Sequence, residues 1–147
     1  MVALCQFKMN NSMSQNIALL LKEKASSAKE KAYAPYSKFR VGCAIITEDD
    51  KIFTGCNVEN ASYGGAICAE RTAIVKAVSE GYHKFKAIGV MTDLQEPATP
   101  CGICRQFIRE FGKEIVIYCF GMNGSSLVMT LDEFLPHSFG PEHLRND

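Results

Sequence analysis

Surplus charge of either sign is missing from this chain: among 147 residues, 16 Lys and Arg stand against 16 Asp and Glu. No Lys/Arg-rich run breaks the balance. Proteins that grip a polyanion carry a basic face, so nucleic acid is not an expected partner. Long apolar runs are missing too. The longest, residues 17–21, falls far short of the roughly 20 residues that cross a bilayer, so no membrane partner is expected. Residues 1–10 lack the basic start and apolar stretch of a secretory signal. Histidine is scarce, and His83, His137 and His143 sit at no spacing suited to a metal site. No repeat, low-complexity stretch or linker divides the chain. A tail over 1–13 and a single domain over 14–147 are expected.

Hydrophobic residues make up 47% of the chain, enough for a core without metal or disulfide staples. Cysteine is plentiful, at seven, an odd number that leaves one over in any complete disulfide framework. A reducing, cytoplasmic setting fits, in which paired cysteines bind metal or do chemistry.

Ile17, Leu20, Leu21, Ala25, Ala28 and Ala32 recur at helical spacing and predict a helix over 14–32. A hairpin follows, with strands over 41–47 and 51–58, the first apolar on both faces. A loop over 59–67 precedes a helix over 68–80, for which Gly81 is a C-cap. A strand over 85–91, a helix over 101–111 and strands over 115–120 and 127–129 complete the main pattern. A short helix over 131–135 ends it. Strands alternating with helices imply an α/β fold: three layers, α/β/α, around a five-stranded mixed sheet. Right-handed crossovers put successive helix starts along one sheet edge. The helices that begin near Cys68 and Cys101 therefore face each other with their N-termini.

Those two starts carry the chemistry. Cys68-Ala69-Glu70 opens one, and Pro100-Cys101-Gly102-Ile103-Cys104 opens the other. Three thiolates make a soft zinc site with one position open, where a water can be held and activated. A site closed for structure uses four protein ligands. Glu70, two residues after the first ligand, can move that water's protons. Helix N-termini favour the thiolate form of all three cysteines. Three thiolates leave the centre net negative, so a cation should compensate. Arg71 follows Glu70 directly and is expected to hydrogen-bond the sulfurs.

Blander readings stand beside this one. Cys101 and Cys104 alone could be a redox pair, but that leaves Cys68 and Glu70 without a purpose. A structural zinc site needs a fourth ligand. All three could be inert core thiols, and Glu70 an ordinary first-turn carboxylate. Cys5, Cys43, Cys56 and Cys119 read as small hydrophobes. An amide and a carboxylate, Asn57 and Glu59, can chelate vicinal hydroxyls of a sugar. The same carboxylate would repel a nearby 5′-phosphate, which favours a nucleoside over a nucleotide.

An H-x-E…P-C-x-x-C pattern, with Cys permitted for His, marks the zinc nucleobase deaminases. The chain resembles the small homotetrameric cytidine deaminases. The likeness is carried by Ala34-Pro35-Tyr36-Ser37, Asn57-Val58-Glu59-Asn60-Ala61, Cys68-Ala69-Glu70-Arg71-Thr72-Ala73, Pro100-Cys101-Gly102-Ile103-Cys104-Arg105-Gln106 and Ser138-Phe139-Gly140-Pro141. The resemblance implies one zinc per subunit on Cys68, Cys101 and Cys104, with Glu70 as proton shuttle. It implies Asn57 and Glu59 on the ribose, with Tyr63 at the end of the sugar-binding loop. Ala69 would offer backbone groups to the base and Phe39 would stack on it. Phe139 would reach in from a neighbouring subunit of a tetramer with shared sites. The implied reaction is hydrolytic deamination of cytidine and deoxycytidine in pyrimidine salvage. Two positions depart from the family pattern: Arg40, where relatives often carry Pro or another uncharged residue, and Gly64-Gly65, where bulkier residues are common. Both could alter the wall near the base or a subunit contact.

Overall fold

The structure, a computed structural model, describes residues 11–144. Cys5 and most of the expected tail lie outside them. Helix α1 (Asn11–Lys29) comes first, then strands β1 (Val41–Thr47) and β2 (Ile52–Cys56). Helix α2 (Ala69–Ser79), strand β3 (Phe85–Thr92) and helix α3 (Gly102–Arg109) follow. Strands β4 (Val116–Phe120) and β5 (Ser126–Thr130) and the short helix α4 (Leu131–Phe134) close the main body. Single 3-10 turns at Tyr63–Gly65 and Pro141–His143 were not expected from the sequence.

The expected boundaries shift by a few residues, for local reasons. Helix α1 starts and stops three residues earlier than the 14–32 pattern. Beyond Lys29 the chain tightens, with the amides of Lys31 and Ala32 bonding the carbonyls three residues back at 3.0 Å. Cys68 and Cys101 are extended caps rather than first helical residues, at ψ of 157° and 165°. Gly81, at φ 93°, ends α2 in the left-handed conformation expected of it.

The sheet runs β2-β1-β3-β4-β5. β3 and β4 are parallel and the other neighbours antiparallel, so the sheet is mixed. Alternation along the strands divides two cores. Cys43 and Ile45 of β1, with Ile117 and Cys119 of β4, pack against α2, α3 and α4. Ala44 and Ile46, with Tyr118 and Phe120, pack against Leu21 and Ala25 of α1. These are the three layers anticipated. Each fully buried Leu or Ile removes enough apolar surface to contribute about 2 kcal/mol.

Topology then places the site. β2 and β3 are each antiparallel to β1, hence parallel to each other. α2 joins the end of β2 to β3, and α3 joins the end of β3 to β4. Both helices therefore start at the same sheet edge and pack on the same face. β2 lies close under α2: a Cβ at Gly55 would come within 2.5 Å of the Ala73 nitrogen and 2.6 Å of the Ala69 carbonyl oxygen. Only glycine permits that approach at the head of α2.

Candidate active site

Cys68 caps α2, Cys101 caps α3, and Cys104 sits in the first turn of α3. Their sulfurs all lie within 4.8 Å of one another. Among the described residues, no fourth potential ligand atom joins them. Cys68 Sγ and Cys101 Sγ are 3.8 Å apart. Two sulfurs on a tetrahedral zinc, each at about 2.3 Å, would be separated by about 3.8 Å. The donor set and its spacing thus fit zinc with one position left over. All three thiols are free. The gathering of Cys68 with the C-x-x-C pair removes the main support for a simple redox pair. The missing fourth ligand does the same for a purely structural zinc.

The sulfurs share their protons unequally. The Cys68 thiol falls to about 5, through its hydrogen bond with Cys104 and then through Arg71. Cys104 is pushed up by that same pairing and by burial. Arg71 Nη2 donates to Cys68 Sγ at 3.8 Å, as the charge of the centre led one to expect. Arg105 was quoted in the motif without a role, and the structure supplies one. Its guanidinium donates to the Pro100 carbonyl at 2.7 Å, the Phe134 carbonyl at 3.0 Å and Thr99 Oγ1 at 2.7 Å. It thereby fixes the turn that presents Cys101. The signal was the position, one turn beyond the cap on the same helix face.

Glu70 is 4% exposed, at the head of α2. Burial raises its carboxyl above the usual range, and the nearby Cys68 charge adds to the effect. A carboxyl so placed holds a proton more readily than a free one and can still give it up.

Above these groups opens a cavity of about 530 Å³. Cys68, Cys101, Glu70 and Arg71 line it. Phe39, Asn57, Glu59 and Tyr63, from the sequence reading, line it too. Cys104 and Ala69 are fully buried behind it. Phe139 is not among its lining residues. That side chain is 57% exposed and lies face to face with His143, ring centroids 5.0 Å apart. Ser37 and Thr92 also line the cavity and were missed, since lone hydroxyls in a loop or strand carry no pattern.

The expected sugar contacts have local duties as well. Asn57 Oδ1 accepts from the Val41 amide and its Nδ2 donates to the Phe39 carbonyl, both at 2.8 Å. Glu59 accepts from the Tyr36 amide at 2.9 Å, the Ser37 amide at 3.2 Å and the Ser37 hydroxyl. The Ser37 hydroxyl is the first cause of a lowered Glu59 carboxyl.

The model of the cytidine and deoxycytidylate deaminase zinc-binding region matches residues 15–120. The chain belongs to the cytidine deaminase family. A probable cytidine deaminase from Dictyostelium discoideum is 50% identical over 121 residues, 82% of each chain. The cytidine deaminase of Sporosarcina psychrophila is 46% identical over 121 residues, 82% of this chain and 89% of its own. The crystal structure of the Burkholderia pseudomallei cytidine deaminase superposes with a TM-score of 0.80 at 47% identity. That match covers 82% of this chain and 98% of the other. The family's zinc-binding region takes in all three cysteines, in accord with the sulfur geometry. No helix among the described residues is long and apolar enough to cross a membrane.

Proposed function

We propose that this enzyme hydrolyses cytidine and deoxycytidine to uridine and deoxyuridine, releasing ammonia. The observation that carries the reading is the buried Glu70 carboxyl beside three clustered cysteine sulfurs, at the floor of a nucleoside-sized cavity. Bound at Cys68, Cys101 and Cys104, zinc supplies an activated water as the nucleophile for C4 of the base. Glu70 accepts one proton of that water and passes it to ring N3, then takes the second from the new C4 hydroxyl and delivers it to the exocyclic amine, which leaves as ammonia. Its raised carboxyl suits both directions of transfer. Arg71 steadies the Cys68 thiolate. The amide dipoles at the start of α2, beginning with Ala69, act strongly on charge formed in a site shielded from water.

In this reading Phe39 stacks on the pyrimidine, and Asn57 and Glu59 bind the ribose hydroxyls through the capacity their loop contacts leave free. Tyr63 borders the sugar. Phe139 belongs to the site of a neighbouring subunit in a homotetramer, and its exposure outside its own cavity supports this. The protein works in the cytoplasm, as one domain over 14–147, without nucleic-acid or membrane partners.

A nucleoside suits the cavity better than a nucleotide. Among the described residues, Arg71 is the one cation lining it, and that group is already engaged at Cys68. Glu59 would face a 5′-phosphate with like charge. Ammonia release from the zinc-loaded protein, measured with cytidine, deoxycytidine and deoxycytidine 5′-monophosphate, tests this. Turnover of the first two and little of the third is expected. Preferred turnover of the monophosphate would replace the nucleoside assignment, and no release from any would overturn the deaminase reading.

A further inference from the structure

The loop that carries Phe39 is tied down from two sides. On the sugar side, Glu59 receives the amides of Tyr36 and Ser37, and Ser37 Oγ receives the Phe39 amide at 3.0 Å. Asn57 holds the Phe39 carbonyl and the Val41 amide. Lys38, between them, sits at φ 61°, a left-handed conformation that L side chains adopt only when their surroundings impose it.

The other side is held by groups outside the cavity. Asp93 follows Thr92, the last residue of β3 and itself part of the cavity wall. Arg40 meets its carboxylate as a fork, Nε to Oδ2 at 3.0 Å and Nη2 to Oδ1 at 2.9 Å. The Arg40 amide adds a third bond to Oδ2 at 3.3 Å. Lys29, at the end of α1 and 3% exposed, donates to Asp93 Oδ1 at 2.8 Å and to the Thr92 carbonyl at 3.5 Å. The remaining guanidinium nitrogen, Nη1, reaches Glu30 Oε2 at 2.7 Å. One carboxylate thus joins α1, the end of β3 and the residue next to Phe39. Paired forks of this kind fix orientation as well as distance.

We propose that Arg40 and Asp93 are positioning residues, which hold the Phe39 loop in the form that receives the pyrimidine. The proposal rests on the deaminase reading. It gives a purpose to Arg40, the charged residue next to Phe39. An uncharged side chain there would leave Asp93 with Lys29 and one backbone amide, and the loop with one fewer tether. Binding would then include the cost of ordering that loop, which would appear in KM rather than in kcat.

The decisive variant is Arg40→Ala, because the Asp93–Lys29 pair survives in it. Asp93→Asn would loosen the buried Lys29 ammonium as well as Arg40, so a KM change in it would not single out the Phe39 loop. Kinetics on cytidine, zinc content and melting temperature are measured for wild type, Arg40→Ala and Arg40→Lys. Arg40→Ala is expected to raise KM about three- to tenfold, with kcat within about twofold of wild type and zinc unchanged. Arg40→Lys, which keeps the charge but not the fork, should fall between. A lower melting temperature at unchanged KM would reduce the pair to a structural tie and overturn the proposal. Equal KM in all three proteins would overturn it too, while leaving the deaminase reading intact. Failure of the wild type to deaminate cytidine would overturn both.

Discussion

The guanidinium of Arg109 occupies the place where a side chain at Gly140 would begin. Arg109 is 3% exposed, donates to Ser138 Oγ at 2.8 Å and pairs with Glu142. Gln106, one turn earlier on α3, donates to the Phe139 carbonyl at 3.0 Å. The segment that follows α4 is therefore moored to α3 on both sides of Phe139. The ring itself is left facing outward.

Gly140→Ala should be costly for steric reasons alone, since the backbone at 140 is extended (φ −153°). The added methyl would drive the Arg109 guanidinium from its pocket. A loss of about 1–3 kcal/mol, typical of overpacking, is expected in urea or thermal unfolding. If Phe139 serves a neighbouring subunit, KM for cytidine should rise as well. Phe139→Ala should raise KM without touching zinc content or the fold. An unchanged KM in both variants would remove Phe139 from the site.

Glu70→Gln keeps the shape of the side chain but not its proton chemistry. Zinc content and melting temperature should hold near wild-type values. Turnover should fall by about two to four orders of magnitude, the usual cost of a missing general acid–base. A variant that retained more than about a tenth of wild-type turnover would mean that another group moves the proton.

Arg71 is a mixed case. Its Nη2 reaches Cys68 Sγ, yet its Nε is buried and has no hydrogen-bond partner among the described residues. An unsatisfied buried donor costs free energy, so removing the side chain need not destabilise the fold. Arg71→Ala should instead loosen the metal: resistance to a chelator should drop about 10–100-fold, with a parallel fall in activity. Unchanged zinc loss, followed by a chromogenic chelator, would leave Arg71 without a role at the sulfurs.

The legible parts of this chain were those with a short-range code. The continuous apolar run in 41–47 and the helical spacing in 17–32 implied two covered sheet faces, and Leu21 and Ile45 now occupy opposite cores. Cys68, Glu70 and the C-x-x-C pair could be joined because a topological rule puts both helix starts at one edge. The less legible features depend on pairs distant in sequence and close in space. Asp93 lies 53 residues from Arg40 and 64 from Lys29, and no local pattern links them. Arg109 carried no signal in the sequence, because its partners at 138–142 come from beyond two further strands. The local duties of Asn57 and Glu59 were hidden for the same reason. Residue type suggested a sugar, and only the folded loop reveals the Phe39 and Ser37 contacts.

Asp93 also sets a pH dependence. Arg40, then Lys29, hold its carboxyl at about 2, below the ordinary 3.8. Glu30, the other acid in the cluster, pairs with Arg40 at 2.7 Å and lies 4.0 Å from Lys29. A carboxylate depressed in the folded state stabilises the protein above its unfolded pKa, because the unfolded chain binds the proton more readily. That contribution should be complete above about pH 5 and drain away as pH falls through about 4 towards 2. Asp93 is partly exposed, so solvent screening limits the contribution to the order of 1 kcal/mol. Zinc release and other carboxylates, Glu59 and Glu142 among them, also act in this range. The clean measurement is therefore a difference. Urea unfolding of wild type and Asp93→Asn, each from pH 7 to pH 3, should give a stability gap that is widest near neutrality and narrows below about pH 4. A gap independent of pH would mean that the folded and unfolded states bind the Asp93 proton equally, and that the Arg40 and Lys29 contacts do not hold its charge in solution.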